Sequence, residues 1–189
     1  MSLEMPLEVF VRPKQRQIGR AFTAHAAIFE GDGRIHAIAM PDGILIGCIW
    51  FPDLDVAAQR LQSQFPDEWI WSEPIVQLQH KSVDSGGRLR EIVLEPILAV
   101  IVTTPPDFVG NVIGDLSSRR ALITGQTEVD GWFQITAEAP LAELARYAGE
   151  LSRFTEGKAT ASATFLKYQQ RPTQIGPPPD EPMSAALRA

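Results

Sequence analysis

The residues able to do chemistry are few and scattered. Three histidines, His25, His36 and His80, and a single cysteine, Cys48, supply all the imidazole and thiol groups of a 189-residue chain. Metal sites and catalytic pairs need such groups in sets with fixed spacing. His25 falls in a helical stretch, His36 in a strand and His80 at a strand end, so no two share a helix face. Cys48 lies mid-strand among apolar residues, which predicts a buried small hydrophobe rather than a nucleophile. No G-x-S-x-G turn occurs. The one Gly-Lys pair, Gly157-Lys158, would have to close a phosphate loop. Ser152 stands where that loop's first glycine belongs, and Ala159 where its hydroxyl belongs. The pair also follows a helix and precedes a strand, the reverse of the order that aims a helix N-terminus at phosphate. We therefore expect no enzyme: no nucleotide hydrolysis, no metal and no cofactor. Gly110 and Gly114 have the spacing of a membrane helix dimer, but Asp107, Asp115, Arg119 and Arg120 surround them. That pattern predicts close packing of the helix on its own sheet.

Composition narrows the class. The chain has 17 Lys+Arg against 23 Asp+Glu, a net charge of −6, with 44% apolar and 21% charged residues. Those proportions are globular, not disordered or fibrous. The negative balance argues against a general DNA coat, yet leaves room for a local basic patch on RNA. The longest apolar run, residues 97–102, falls far short of the roughly 20 residues a membrane helix needs. The N-terminus begins MSLEMPLE, with two acids and no basic start, which predicts no secretory signal. A lone cysteine fits a reducing compartment, so a cytoplasmic location is expected.

Periodicity places the elements. In the second half, residues 95–103 form an apolar strand. Thr104, Pro105 and Asp107 then suit the N-cap, first position and first turn of a helix. Phe108, Val109, Val112, Ile113 and Leu116 line one stripe of that helix, with Arg119 and Arg120 in its last turn. Residues 122–129 and 132–139 flank Asp130-Gly131, a hairpin signal. Pro140 opens a second helix bearing Leu141, Leu144, Ala145, Ala148 and Leu151, ended by Gly157, and residues 159–168 form a last strand. The order is βαββαβ, the ferredoxin-like pattern. The first half repeats it: a strand at 7–13, a helix over 14–29, a hairpin of 36–40 and 44–50 around Pro41-Asp42-Gly43, a helix stripe from Leu54 to Phe65, and a strand at 69–79. The fold class expected is α+β, with two tandem ferredoxin-like units at 5–81 and 93–170. A linker at 82–92 carries Gly86-Gly87, and a disordered Pro-rich tail runs over 171–189. On the strand at 95–103, Ala99 and Ile101 face away from Leu98, Val100 and Val102. Two apolar faces predict that both are covered, one of them by the first unit or a partner chain.

Several long motifs then carry a resemblance. LEPI at 94–97, TPPDFVGNVIGDLSSRR at 104–120, PLAEL at 140–144, Tyr147 and RFTEGKATASATF at 153–165 occur in order. Residues 95–168 resemble the C-terminal domain, domain V, of elongation factor G and related translational GTPases. More faintly, FVRPK at 10–14, DGILIG at 42–47, the Leu54–Phe65 helix and SEPIV at 72–76 are similar to domain III of those factors. The departures are Ala121 and Arg146, each where the family has glycine, and the absence here of the GTPase domain, the barrel that follows it and the domain IV stalk. The resemblance implies a non-enzymatic protein associated with the ribosome or with ribosomal RNA. It places the RNA contact at Asn111, Ser117, Ser118, Arg119, Arg120 and Lys158. It also leaves open a separately encoded translational GTPase as partner. The alternative is a protein-interaction or dimerisation module, a homo-oligomer included, that has lost ribosome binding; the acidic charge and the replaced glycines favour it, and the Pro-rich tail could then serve as a docking peptide.

Overall fold

The computed structural model describes residues 5–15, 21–84 and 86–172. The first unit runs β1 (Leu7–Pro13), α1 (Thr23–Ala27), β2 (Ile35–Met40), β3 (Gly43–Cys48), α2 (Phe51–Gln64) and β4 (Trp69–Trp71), followed by the short β5 (Ile75–Val76). The second has β6 (Gln79–Asp84) and β7 (Leu89–Thr104), then α3 (Val109–Ser118), β8 (Leu122–Val129), β9 (Trp132–Pro140), α4 (Tyr147–Phe154) and β10 (Thr160–Gln170). Strand order is β2-β3-β1-β4 in one sheet and β10-β7-β9-β8 in the other. Counted within each βαββαβ unit, both sheets have the order of the ferredoxin-like fold, and the α+β reading holds.

Local chemistry explains the parts that match expectation. Pro41 and Asp42 turn β2 into β3, with Met40 opposite Gly43. Asp130 and Gly131 both take positive φ, 51° and 80°, at the tip of the β8–β9 hairpin, the twist that a two-residue turn requires. Ile135, Ala137 and Ala139 alternate inward along β9 and meet Val102, Val100 and Leu98 of β7. Val112 and Leu116 of α3 cover that face and are fully buried.

Five expectations need correction. The helix expected over 14–29 survives only as α1; residues 16–20 lie outside the described set, and 14–15 are not helical. The strand expected at 69–79 breaks at Pro74: β4 and β5 pair with β1, while β6 leaves for the second sheet. The expected linker at 82–92 is a β-hairpin, with Gln79 opposite Leu94 through Asp84 opposite Leu89. Gly86 and Gly87, at φ 66° and 80°, form its tip, so the Gly-Gly pair marks a chain reversal rather than a tether. The helix expected from Pro140 to Gly157 is interrupted. A 3-10 turn at Leu141–Leu144 stops at Ala145, and Arg146 adopts φ 63° before α4 begins. A glycine suits that conformation best, as the related motif has. Finally, the first unit leaves Ile101 39% exposed and Ala99 half-exposed. Ser162, Thr164, Thr136 and Glu138 are their cross-strand neighbours, so the face is polar enough to stay wet. Of the expected tail, residues 173–189 lie outside the described set.

The two units share a seam. Leu7 and Trp50 belong to the buried cluster of the second unit, and Ile49, Phe51, Leu54 and Val76 pack against it. Arg34 adds a polar clasp. Its Nε and Nη2 donate to Asp53 at 3.0 and 3.2 Å, and Nη2 also donates to the Ala163 carbonyl of β10 at 3.1 Å. Asp53 is 9% exposed and also accepts the Trp50 N–H at 3.3 Å, which fixes the start of α2. Replacing Arg34 with alanine strips the guanidinium from a nearly buried carboxylate and frees the β10 carbonyl. The expected loss is about 1–2 kcal/mol in urea unfolding, modest because the arginine side chain itself is partly in water. An unchanged midpoint would mean that the apolar seam alone fixes the two units.

Candidate nucleic-acid interface

α3 lies on the sheet with Val112 and Leu116 inward and Val109 and Ile113 packed beside them. The opposite side of the helix carries Gly110, Asn111, Gly114, Ser117 and Ser118, all exposed. A Cβ built on Gly110 or on Gly114 would meet nothing within 4 Å. The two glycines therefore do not serve sheet packing as expected; they face solvent. An interior glycine costs a helix about 1 kcal/mol relative to alanine. Two of them in a ten-residue helix lower its stability without any internal contact in return. What they provide is a strip of bare backbone that another molecule can approach closely.

The serines are partly committed. Ser117 Oγ donates to the Ile113 carbonyl and Ser118 Oγ to the Asp115 carbonyl, both at 2.7 Å. Each hydroxyl keeps its lone pairs outward and can accept, but not donate. Asn111 makes no side-chain hydrogen bond among the described residues, so its amide is available. Lys158 lies beside the start of the helix, with Nζ 5.4 Å from the Phe108 ring centroid and 2.6 Å from Glu156 Oε2.

Arg119 and Arg120 hold the structure together. Both follow the last residue of α3 rather than lying in its last turn. Arg120 has φ 60°, and the N–H groups of Arg120 and Ala121 donate back to the Ser117 and Leu116 carbonyls. This is the paired closure that ends helices on a left-handed residue. Arg119 is 14% exposed. Its guanidinium donates to Asp115 at 2.9 Å, to the Glu143 carbonyl at 2.8 Å and to Glu150, and it lies over the Tyr147 ring. Burial alone would lower its pKa, but Asp115 and Glu150 raise it, so it stays charged. Arg120 reaches Glu95 Oε1 at 2.5 Å and Oε2 at 3.3 Å, and Glu143 at 3.3 Å. Glu95 is 5% exposed on β7, so this pair is its main neutralising contact.

On α4, Arg153 is exposed on the side away from the buried Tyr147 and Leu151, while Arg146, just before the helix, is exposed at a groove it shares with Gly149 and with Phe51, Pro52 and Asp55 of α2. Neither arginine forms a salt bridge among the described residues. Sequence reasoning placed the cations of the interface at Arg119 and Arg120 and missed these two. Spacing offered no signal, because Arg146 lies outside the helix in a left-handed conformation and shares no helical face with Arg153. Tyr147 completes the α3–α4 contact; its ring is fully buried and its hydroxyl has no hydrogen-bond partner among the described residues, with burial pushing its pKa upward.

The remaining candidates lie apart. His25 is buried with its ring stacked 3.8 Å from Phe65. His80 pairs with Glu91 at 2.8 Å on the β6–β7 hairpin, and His36 is exposed on β2. Cys48 is fully buried in β3, where burial, aided by Asp53 and Asp32, pushes its thiol up to about 12. Among the described residues no cluster of three or more His, Cys, Asp or Glu could hold a metal ion, and no helix is long and apolar enough to cross a membrane.

Residues 92–177 match the family of the elongation factor G C-terminus. The resemblance read from the motifs of the second half is therefore borne out, and these residues carry that domain. A crystal structure of a protein from Thermus thermophilus superposes with a TM-score of 0.58 at 17% identity, covering 88% of this chain and 41% of that one. The chain thus spans about two-fifths of that protein's length, and at this identity the likeness is one of fold.

Two substitutions test the account of α3. Arg120→Ala leaves Glu95 buried beside only a distant Arg171 at 4.0 Å. It should cost about 2–4 kcal/mol in chemical unfolding, somewhat less than a fully buried pair because Arg120 is partly exposed. Tyr147→Phe removes only an unpartnered hydroxyl, so the melting temperature should stay level or rise. A large loss there would mean that the hydroxyl has a partner in solution.

Proposed function

We propose that the elongation factor G C-terminal domain of this chain docks by its α3–α4 face onto folded ribosomal RNA, and that the protein acts there without chemistry of its own. The observation that carries this reading is the outward strip of α3, where Gly110, Asn111, Gly114, Ser117 and Ser118 leave the helix backbone bare. Folded RNA is recognised chiefly through phosphates, 2′-hydroxyls and shape. A strip of small residues lets a phosphate or ribose approach the backbone. Asn111 and Lys158 supply donors at one end, Ser117 and Ser118 supply acceptors for ribose hydroxyls at the other, and Arg153 supplies unpaired charge from α4. Arg119 and Arg120 serve this face as positioning residues, by holding α3 to α4 and to β7. The match of residues 92–177 supports a translation-related role. A cytoplasmic location goes with it, and a separately encoded translational GTPase is a compatible further partner.

A protein-interaction module is the second reading. It is favoured by the outer face of the first sheet, where Ile38, Met40 and Ile70 are 48%, 39% and 40% exposed.

Co-sedimentation with ribosomes over a salt series separates the two. Phosphate-mediated binding should weaken steeply as salt rises, and Arg153→Ala should reduce the log–log salt slope by about 1. The variant carrying Gly110→Leu and Gly114→Leu should be more stable by about 1 kcal/mol per site, because leucine is the better helix former. It should nevertheless lose ribosome binding by at least about tenfold, the equivalent of roughly 1.4 kcal/mol. Unchanged binding by this stabilised variant would contradict the docking face. Failure of the parent chain to sediment at low salt would favour the interaction module.

A further inference from the structure

The two strand orders end on β2 and β4 in the first sheet and on β8 and β10 in the second. A strand at an edge leaves half its backbone N–H and C=O groups unpaired, and proteins guard such edges with bulges, charges, prolines or brevity. β4 is three residues long. β8 has a register break between Ile123 and Gly125, and β10 has one between Phe165 and Lys167. β2 has none of these devices. Its six residues, Ile35–Met40, hold an unbroken register with β3 and include no proline and no Lys, Arg, Asp or Glu.

The register fixes which groups are unpaired. Two residues join β2 to β3, so Met40 and Gly43, opposite each other, form the hydrogen-bonded pair that closes the hairpin. Antiparallel pairs alternate, which turns His36 and Ile38 to β3 as well and leaves the backbone of Ile35, Ala37 and Ala39 facing the free edge. The Ile35 N–H accordingly donates to Asp32 Oδ1 at 3.1 Å rather than to β3. The N–H and C=O groups of Ala37 and Ala39 have no partner among the described residues.

A groove of about 330 Å³ runs along this edge, between β2 and α1. Ala37 and Ala39 line it from one face of β2 and Ile38 from the other, so it follows the edge itself. α1 presents Ala26 and Ala27 across it. Glu30, just past the helix, is the one carboxylate in this lining and makes no salt bridge among the described residues. These features select an occupant. Alternate unpaired N–H and C=O groups take up an added strand, whose main-chain bonds supply affinity. Side chains of that strand point alternately toward α1 and away from it. Four alanine methyl groups leave room on the α1 side for bulky apolar side chains, and Glu30 favours a cation beside them. A second copy pairing through its own β2 would bring only Ala37 and Ala39 to that side and leave the groove unfilled.

We propose that the edge of β2 docks an extended segment of another protein, a strand with bulky apolar side chains at alternate positions and a Lys or Arg that reaches Glu30. The segment becomes the next strand of the first sheet, and its apolar side chains fill the groove beside α1.

The test adds the peptide acetyl-Lys-Thr-Val-Thr-Phe-Thr-Lys-amide to the full chain and follows amide hydrogen exchange by NMR. The scrambled peptide acetyl-Lys-Thr-Thr-Val-Phe-Thr-Lys-amide keeps composition and charge but breaks the alternation. With the alternating peptide at saturation, the amides of Ala37 and Ala39 should exchange at least about tenfold more slowly, because they exchange only while the added strand is off. The amide of Gln126 on β8 should keep its rate, and the scrambled peptide should protect none of them. Ala27→Phe fills the groove from an exposed position and should abolish the protection. Glu30→Lys should weaken binding about two- to fivefold, the scale of one exposed charge pair. No protection, equal protection by the scrambled peptide, or protection that survives Ala27→Phe would overturn the proposal. Protection without peptide that grows with protein concentration would assign the edge to a second copy, and protection already complete in the dilute free chain would mean that β2 is paired within the chain; either would overturn it too. All of these results read the first unit, so they stand apart from ribosome sedimentation, which reads the second.

Discussion

A single buried carboxylate sets the geometry of the second unit. Glu95 lies inside β7, the long strand that pairs with β6, β9 and β10, and it cannot stay charged there alone. Arg120 neutralises it from the left-handed position just past α3. The helix end is thereby pinned to the central strand, and one residue earlier Arg119 ties the same end to α4 through Asp115, Glu150 and the Glu143 carbonyl. With that end fixed and Val112 and Leu116 buried, the rotation of α3 about its axis is determined. Gly110, Gly114 and the serines must then face outward.

This arrangement divides labour between two kinds of cation. Buried or paired arginines hold the helices in place, while Arg153 and Lys158 stand exposed at the surface. A face built this way is rigid where shape matters and charged only at its margins. That combination suits a partner recognised by outline and by phosphates more than by base edges. The first unit repeats the fold but not this device. Its polar anchor, Arg34 to Asp53, points into the seam with β10, and its free surface is the apolar outer face of the sheet.

Much of the fold was legible because its signals are local. Asp130-Gly131 and Pro41-Asp42-Gly43 specify hairpins whatever lies around them, and the stripes of α2 and α3 fix which side is buried. The strand-breaking effect of Pro74 is equally local, but the apolar residues on both sides of it mimic one continuous strand. Gly86-Gly87 was ambiguous in principle, since a pair of glycines serves a tether and a hairpin tip alike; pairing of His80 and Lys81 with β7 decides the matter, and pairing is not written in a segment of one strand. The interface was half legible. Gly110, Asn111, Gly114, Ser117 and Ser118 could be placed on one helix opposite the Val112–Leu116 stripe, yet how the end of that helix is pinned depends on Glu95, twenty-five residues from Arg120. Arg120 looked free because Glu95 and Glu143 lie 25 and 23 residues away, and the local spacing of Arg119 to Asp115 gives no sign of its reach to Glu150. Arg146 and Arg153 looked ordinary because their freedom is the absence of such partners, which only the folded arrangement reveals. The left-handed residue at 146 was hinted at by the glycine that the related motif carries there.

The central claim is that the outward strip of α3 meets ribosomal RNA. Tethered hydroxyl-radical probing reads this most directly, with an iron chelate attached at Ser117→Cys and, as a control, at Asp84→Cys on the far hairpin. The account predicts strand cuts clustered at one site of the ribosomal RNA from position 117, lost at high salt, and none there from position 84. Equal, diffuse or absent cleavage from the two positions would contradict it.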